Sequence, residues 1–145
     1  MSAHNAKGAW FKDINAVRLG GAAIFGFTAP QLYVTRMHAI GLGAGGVTVF
    51  KSASAVVNNS YIVGYGLRIP AGEGISVKSS PFAIVSHNDI SGGFYNGLAG
   101  DLSNDSGPYT RFEYNKVYDI GHSLTGDTSI CDYGGIHVGV RVSST

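Results

Sequence analysis

Short apolar alternations separated by glycine recur along this chain, and their spacing is the first clue to how it folds. A small residue, an aliphatic one and then alternation appear at Ala23-Ile24-Phe25, Gly46-Val47-Thr48-Val49, Gly74-Ile75-Ser76-Val77, Gly97-Leu98-Ala99 and Gly135-Ile136-His137-Val138. Each reads as a short strand whose side chains point alternately in and out. A second apolar segment precedes each of these, at residues 13–17, 32–37, 55–60, 83–88 and 111–115. It ends in a stereotyped break, a hydrophobic residue followed closely by glycine, as in Ile40-Gly41, Ile62-Val63-Gly64 and Ile90-Ser91-Gly92. Glycine there supplies the positive φ that lets the chain turn a corner.

A strand–turn unit repeated every twenty-odd residues predicts an all-β, right-handed parallel β-helix of about five coils, a single domain over 1–145. One coil cannot bury its inward aliphatics, but coils stacked at about 4.8 Å share one continuous core. Sandwiches and propellers need antiparallel hairpins, yet Asn-Gly occurs once, at Asn96-Gly97, where it opens a strand. Asn58 or Asn59, Asn88 and Asn115 fall just before corners, where stacked amides can bond along the helix axis. The coils are unequal: extra residues fall around 69–73, 101–108 and 122–133. In solenoids such insertions gather on one face, often the binding face.

Composition agrees with strands and tight turns. Only 13% of residues are charged, against about 25% in ordinary domains, and there are 22 glycines. The net charge is +1 with no basic run, so a nucleic-acid partner is not expected. No apolar stretch reaches the ~18 residues of a membrane span. The opening MSAHNAKGAW lacks the charged and apolar regions of a secretory signal. Cys131 is the single cysteine, which leaves no internal disulfide and no thiolate metal cluster.

The last third carries a resemblance. Residues 86–97 (SHNDISGGFYNG), 113–121 (EYNKVYDIG) and 131–137 (CDYGGIH) are similar to segments of the pectate-lyase-like β-helix superfamily, in its glycoside-hydrolase-like branch. The match covers roughly residues 82–140; the first eighty residues share only the repeat. The Asp-x-Gly-Gly-Ile strand is its most specific part, and His137 stands where that family usually has Tyr. The resemblance implies a carbohydrate-active protein, most readily a polysaccharide or oligosaccharide hydrolase and less so a lyase, in an extracellular or cell-surface parent. A non-catalytic structural or carbohydrate-binding module is the alternative.

Glycoside hydrolysis uses two carboxyl groups, about 5–5.5 Å apart for retention or about 6.5–9.5 Å for inversion. A lyase needs a base and often Ca²⁺ on acidic oxygens, so Ca²⁺ enters only under that reading; no other cofactor is expected. Asp132 ends the longest insertion just before a strand and is the first catalytic candidate. Asp101 follows the equivalent strand one coil earlier and is the second. His137, Tyr133, Tyr95 and Glu113 are the expected substrate-binding residues, through ring faces with polar tips and an outward carboxylate. His87, His122 and His137 have no close histidine pair, so no metal site is expected. The pattern stops in mid-strand at the C-terminus and shows no capping helix at either end. The expectation is a segment of a longer β-helix, or end-to-end self-association that hides the edges.

Overall fold

The computed structural model describes residues 1–101, 109–121 and 134–139. Strands account for all regular structure among them. The first coil contains β1 (Ser2–His4), β2 (Trp10–Lys12) and β3 (Asn15–Val17). The second contains β4 (Ile24–Phe27), β5 (Tyr33–Thr35) and β6 (His38–Ile40), and the third β7 (Val47–Phe50), β8 (Val56–Asn58) and β9 (Tyr61–Val63). The fourth contains β10 (Ile75–Lys78), β11 (Ile84–Ser86) and β12 (Asp89–Ser91). The fifth contains β13 (Leu98–Asp101), β14 (Arg111–Glu113) and β15 (Lys116–Tyr118), and β16 (Ile136–Gly139) continues the stack.

Every third strand joins the same sheet, and all pairings are parallel. Sheet 1 runs β1-β4-β7-β10-β13-β16, sheet 2 runs β2-β5-β8-β11-β14 and sheet 3 runs β3-β6-β9-β12-β15. This is a parallel β-helix, as the repeat predicts. Each coil has three strands where the sequence pattern suggested two. The reason lies in single residues: Asp13, Arg36, Asn59, His87 and Tyr114 take φ between 50° and 58° and bend each second segment into two strands. None is glycine, so this corner is invisible to a search for glycine breaks.

Three further corners repeat the device. Asn5, Thr28, Lys51 and Ser79 follow the sheet 1 strands; Gln31, Ser54, Phe82 and Tyr109 precede those of sheet 2; Arg18, Gly41, Gly64, Gly92 and Asp119 follow those of sheet 3, all at positive φ. The fold therefore holds many non-glycine residues in a conformation that costs each roughly 1–2 kcal/mol. Stacked burial offsets this: Ile24, Val47, Ile75 and Leu98 line the inside of sheet 1, Val34, Val57 and Val85 that of sheet 2, and Ala39, Ile62 and Ile90 that of sheet 3, with almost no exposure. Each large aliphatic so buried contributes about 1.5–3 kcal/mol.

The repeat length is 23 residues between the second and third coils and 28 between the third and fourth. The added residues form the turn between β9 and β10, where the sequence placed an insertion. The turn carries Tyr65, which is wholly buried, with its ring over Gly93 of the next coil. A Cβ at residue 93 would lie inside that ring. Burial, with the charge of Glu73 a smaller contributor, pushes the Tyr65 phenol well above its ordinary pKa. Its hydroxyl has no hydrogen-bond partner among the described residues.

Polar ladders run inside two corners. Ala29 N–H donates to Ser52 Oγ at 2.9 Å, and Ser52 N–H to Ser80 Oγ at 3.0 Å. At the corner between sheets 2 and 3, Met37 N–H donates to Ser60 Oγ, Ser60 N–H to Asn88 Oδ1 and Asn88 N–H to Asn115 Oδ1. The stacked amides expected at Asn88 and Asn115 are present. In the third coil their place is taken by Ser60, whereas Asn58 faces outwards and donates to the Tyr33 hydroxyl at 3.2 Å.

Candidate functional site

The outer faces repeat as strictly as the core, and they bring like residues into columns. In the first outward column of sheet 3, Asn15, His38, Tyr61, Asp89 and Lys116 stand one above another. The corner column beside it reads Asp13, Arg36, Asn59, His87 and Tyr114. Between these two columns lies an open groove of about 500 Å³, lined by Arg36, His38, Asn59, Tyr61, His87 and Asp89.

Two ring stacks shape it. His38 lies on Tyr61 with centroids 5.2 Å apart and planes 12° from parallel. His87 lies on Tyr114 at 5.1 Å and 28°. Each stack covers one face of its rings. Asp89 is the ladder partner of Tyr61 on the next coil, and Asn59 holds the corner one coil before His87. Tyr61 and His87 thus line the groove beside a carboxylate, an amide and a guanidinium.

The charges in the groove are mostly matched. Arg36 grips Asp13 through Nε and Nη2, at 2.6 and 2.9 Å. That pairing holds the Asp13 carboxyl below its ordinary range and raises Arg36. Asp89 Oδ2 lies 3.6 Å from Lys116 Nζ, and Lys116 covers the Tyr118 ring at 4.4 Å. Paired ions, hydrogen-bonding groups and aromatic rings suit a polar ligand with apolar patches of its own.

More rings decorate the earlier coils. Trp10, largely exposed, stacks on Tyr33 at 4.7 Å on sheet 2. Phe27 stacks on Phe50 at 5.6 Å, and His4 on Phe27 at 5.6 Å, on the outside of sheet 1. Sequence reasoning looked for function in the later coils and passed over Arg36, His38, Tyr61 and Trp10. The signal was available: at a spacing of 23, His38 falls on Tyr61, Trp10 on Tyr33 and Phe27 on Phe50.

The expected site residues are distributed as follows. Asp132 and Tyr133 lie outside the described residues, as do His122 and the loops at 102–108 and 122–133. Asp101 ends β13 and pairs with Gly139 of β16, while His137 pairs with Ala99, so residues 101 and 137 occupy the same pleat face of sheet 1 on adjacent strands. Tyr95 is half-buried in the turn from sheet 3 to sheet 1. Glu113 stands on sheet 2, opposite Ser86 and 3.9 Å from Arg111. Asp101, His137 and Tyr95 therefore belong to the sheet 1 side, and Glu113 to another face. His87, weighed as a metal ligand, stacks on Tyr114 instead, and among the described residues no three of His, Cys, Asp and Glu come together to hold a metal. No helix of the described residues is long and apolar enough to cross a membrane.

Fold and groove together define a parallel β-helix with a polar, ring-lined cleft on its outer surface. No protein-family model, curated protein or solved structure matches this chain.

Proposed function

We propose that this chain is a carbohydrate-active β-helix protein that holds a saccharide in the groove between sheets 2 and 3. The observation that carries the reading is the presence of two aromatic rings, Tyr61 and His87, in one groove with Arg36, Asn59 and Asp89. Saccharides present C–H faces that lie on rings and hydroxyls that bond to amides and carboxylates, which is the combination this groove offers. The resemblance of residues 82–140 to the pectate-lyase-like superfamily points to the same ligand class. Affinity electrophoresis across a panel of polysaccharides tests it. At least one polysaccharide should retard the wild type, and Tyr61→Ala and His87→Ala should each weaken that binding about tenfold while the fold remains intact. Retardation by none of the panel, or undiminished binding in both variants, overturns the proposal.

Hydrolysis is the second reading, with Asp132 and Asp101 as the carboxyl pair. Its support is the resemblance of residues 82–140 to the glycoside-hydrolase-like branch, with Asp101 at the end of β13. Reducing-end assays on the bound polysaccharide decide it. Asp132→Asn and Asp101→Asn should abolish release; equal activity in both variants removes them from the mechanism.

A further inference from the structure

The outer face of sheet 2 carries two columns of side chains, one on each side of the inward Val34, Val57 and Val85. From the first coil to the fifth, one column reads Trp10, Tyr33, Val56, Ile84 and Arg111. The other reads Lys12, Thr35, Asn58, Ser86 and Glu113. Register is unbroken through all five strands, so each column runs about 19 Å along the axis. Trp10 is 65% exposed, and Tyr33, Val56 and Ile84 are half-buried. Phe82, stacked on Tyr109 at 5.6 Å, stands at the corner just before the same sheet, and both rings are exposed. An apolar row on an open sheet face is surface that association would cover.

The order of residues within the columns says what fits this face. A second copy can be turned over about a two-fold axis that lies along β8. The first coil of each copy then faces the fifth coil of the other, and each column meets itself in reverse. Val56 meets its own counterpart on the axis, Tyr33 meets the partner's Ile84, and Trp10 meets the partner's Arg111, a guanidinium against an indole. In the other column Lys12 meets the partner's Glu113, and Thr35, Asn58 and Ser86 between them carry no charge. The symmetry makes each of these end contacts twice, and no like charges face one another. Within one chain Arg111 and Glu113 are 3.9 Å apart, an exposed pair of little energetic weight that leaves both side chains able to reach a partner.

We infer that sheet 2 is the interface of a face-to-face homodimer, with the coils of the two copies stacked in opposite order. The face is only three residues wide, so it falls short of the roughly 800 Å² per partner of a standard interface. The dimer is accordingly weak, with a Kd of about 10–100 µM. It closes at two copies, whereas end-to-end stacking of coils adds copies without limit. None of the residues lining the groove between sheets 2 and 3 lies on sheet 2, so this inference is independent of the carbohydrate reading.

Sedimentation equilibrium between about 5 and 500 µM tests it, with circular dichroism to show that each variant is folded. Wild type should follow a monomer–dimer curve. Lys12→Glu and Glu113→Lys should each weaken the dimer at least about tenfold, because each sets like charges together at two contacts. Combining the two substitutions restores opposite charges and should return Kd to within about threefold of wild type. Val56→Asp, which brings two carboxylates together on the axis, should leave monomer only. Wild type that stays monomeric to the top of the concentration range overturns the inference. So does association that continues past two copies, which is the mark of end-to-end stacking. A combined variant as weak as the single ones overturns it too, since residues 12 and 113 would then not meet across the interface.

Discussion

Asn115 Oδ1 accepts both the backbone N–H and the side-chain amide of Asn88, each at 3.0 Å. Asn88 in turn receives Ser60 N–H on its Oδ1 and donates Nδ2 to Val57 O in the coil before. One buried side chain thus closes hydrogen bonds in three successive coils. Asn88→Ala should cost about 3 kcal/mol or more in urea unfolding, because several buried groups lose their partners at once. Ser60→Ala, which removes one acceptor and one donor, should cost about 1 kcal/mol. Equal costs for the two would mean that the ladder is not the support described.

Gly93 and Tyr65 form a second dependent pair. Gly93→Ala should prevent folding or cost more than about 3 kcal/mol, since its Cβ would fall within the ring of the buried Tyr65. Combining it with Tyr65→Ala should restore a folded β-helix by circular dichroism. If Gly93→Ala melts like the wild type, the ring does not occupy that site.

Tyr65→Phe removes a hydroxyl with no partner among the described residues, so stability should rise by about 1 kcal/mol near neutral pH. The alkaline limb gives a separate readout. The phenol titrates higher in the folded state than its ordinary value of 10.0, so folding disfavours the phenolate. Stability from this group is complete below pH 10 and falls as pH rises beyond it. Melting temperatures from pH 9 to 11.5 should drop more steeply in wild type than in Tyr65→Phe. Parallel curves would refute the linkage.

Ser54 sits at φ 56° in the corner before sheet 2. Replacement by glycine relieves roughly 1–2 kcal/mol of left-handed strain against an entropic cost of roughly 0.5–1 kcal/mol. Ser54→Gly should therefore raise stability by up to about 1.5 kcal/mol. Ser54→Val, β-branched at the same φ, should lower it, and the order of the two melting temperatures is the check.

The Arg36–Asp13 pair is exposed, so its removal should matter to the groove more than to the fold. Asp13→Asn should leave the melting temperature at neutral pH essentially unchanged. It frees Arg36 to bond saccharide hydroxyls in the groove, and affinity for the retained polysaccharide should rise. Because Asp13 titrates below its ordinary value, what little it adds to stability is present above pH 4 and lost as pH falls further. A large loss of stability at neutral pH would show that this pair supports the corner.

The β-helix itself was legible in the chain. Strand residues follow a local period of two, and Val47-Thr48-Val49 or Ile75-Ser76-Val77 show it without reference to any other coil. The amide ladder was half legible: Asn88 and Asn115 announced themselves, while Ser60, a shorter side chain in the same role, did not. The third strand of each coil escaped because its corner is made by Asp, Arg, Asn, His and Tyr held at positive φ. Local preference would not choose Arg36 or Tyr114 there; the neighbouring coils impose it.

Sequence alone determined the fold class, the repeat and the position of the turn insertion around residues 69–73, because each depends on near neighbours along the chain. Tertiary structure decided which surface residues become a site. His38 and Tyr61, or Trp10 and Tyr33, become neighbours only when stacking fixes their register, and that register depends on repeat lengths of 23, 28 and 27 residues that change from coil to coil. Side chains far apart in the chain become neighbours along the axis, and the groove between sheets 2 and 3 exists only at that level.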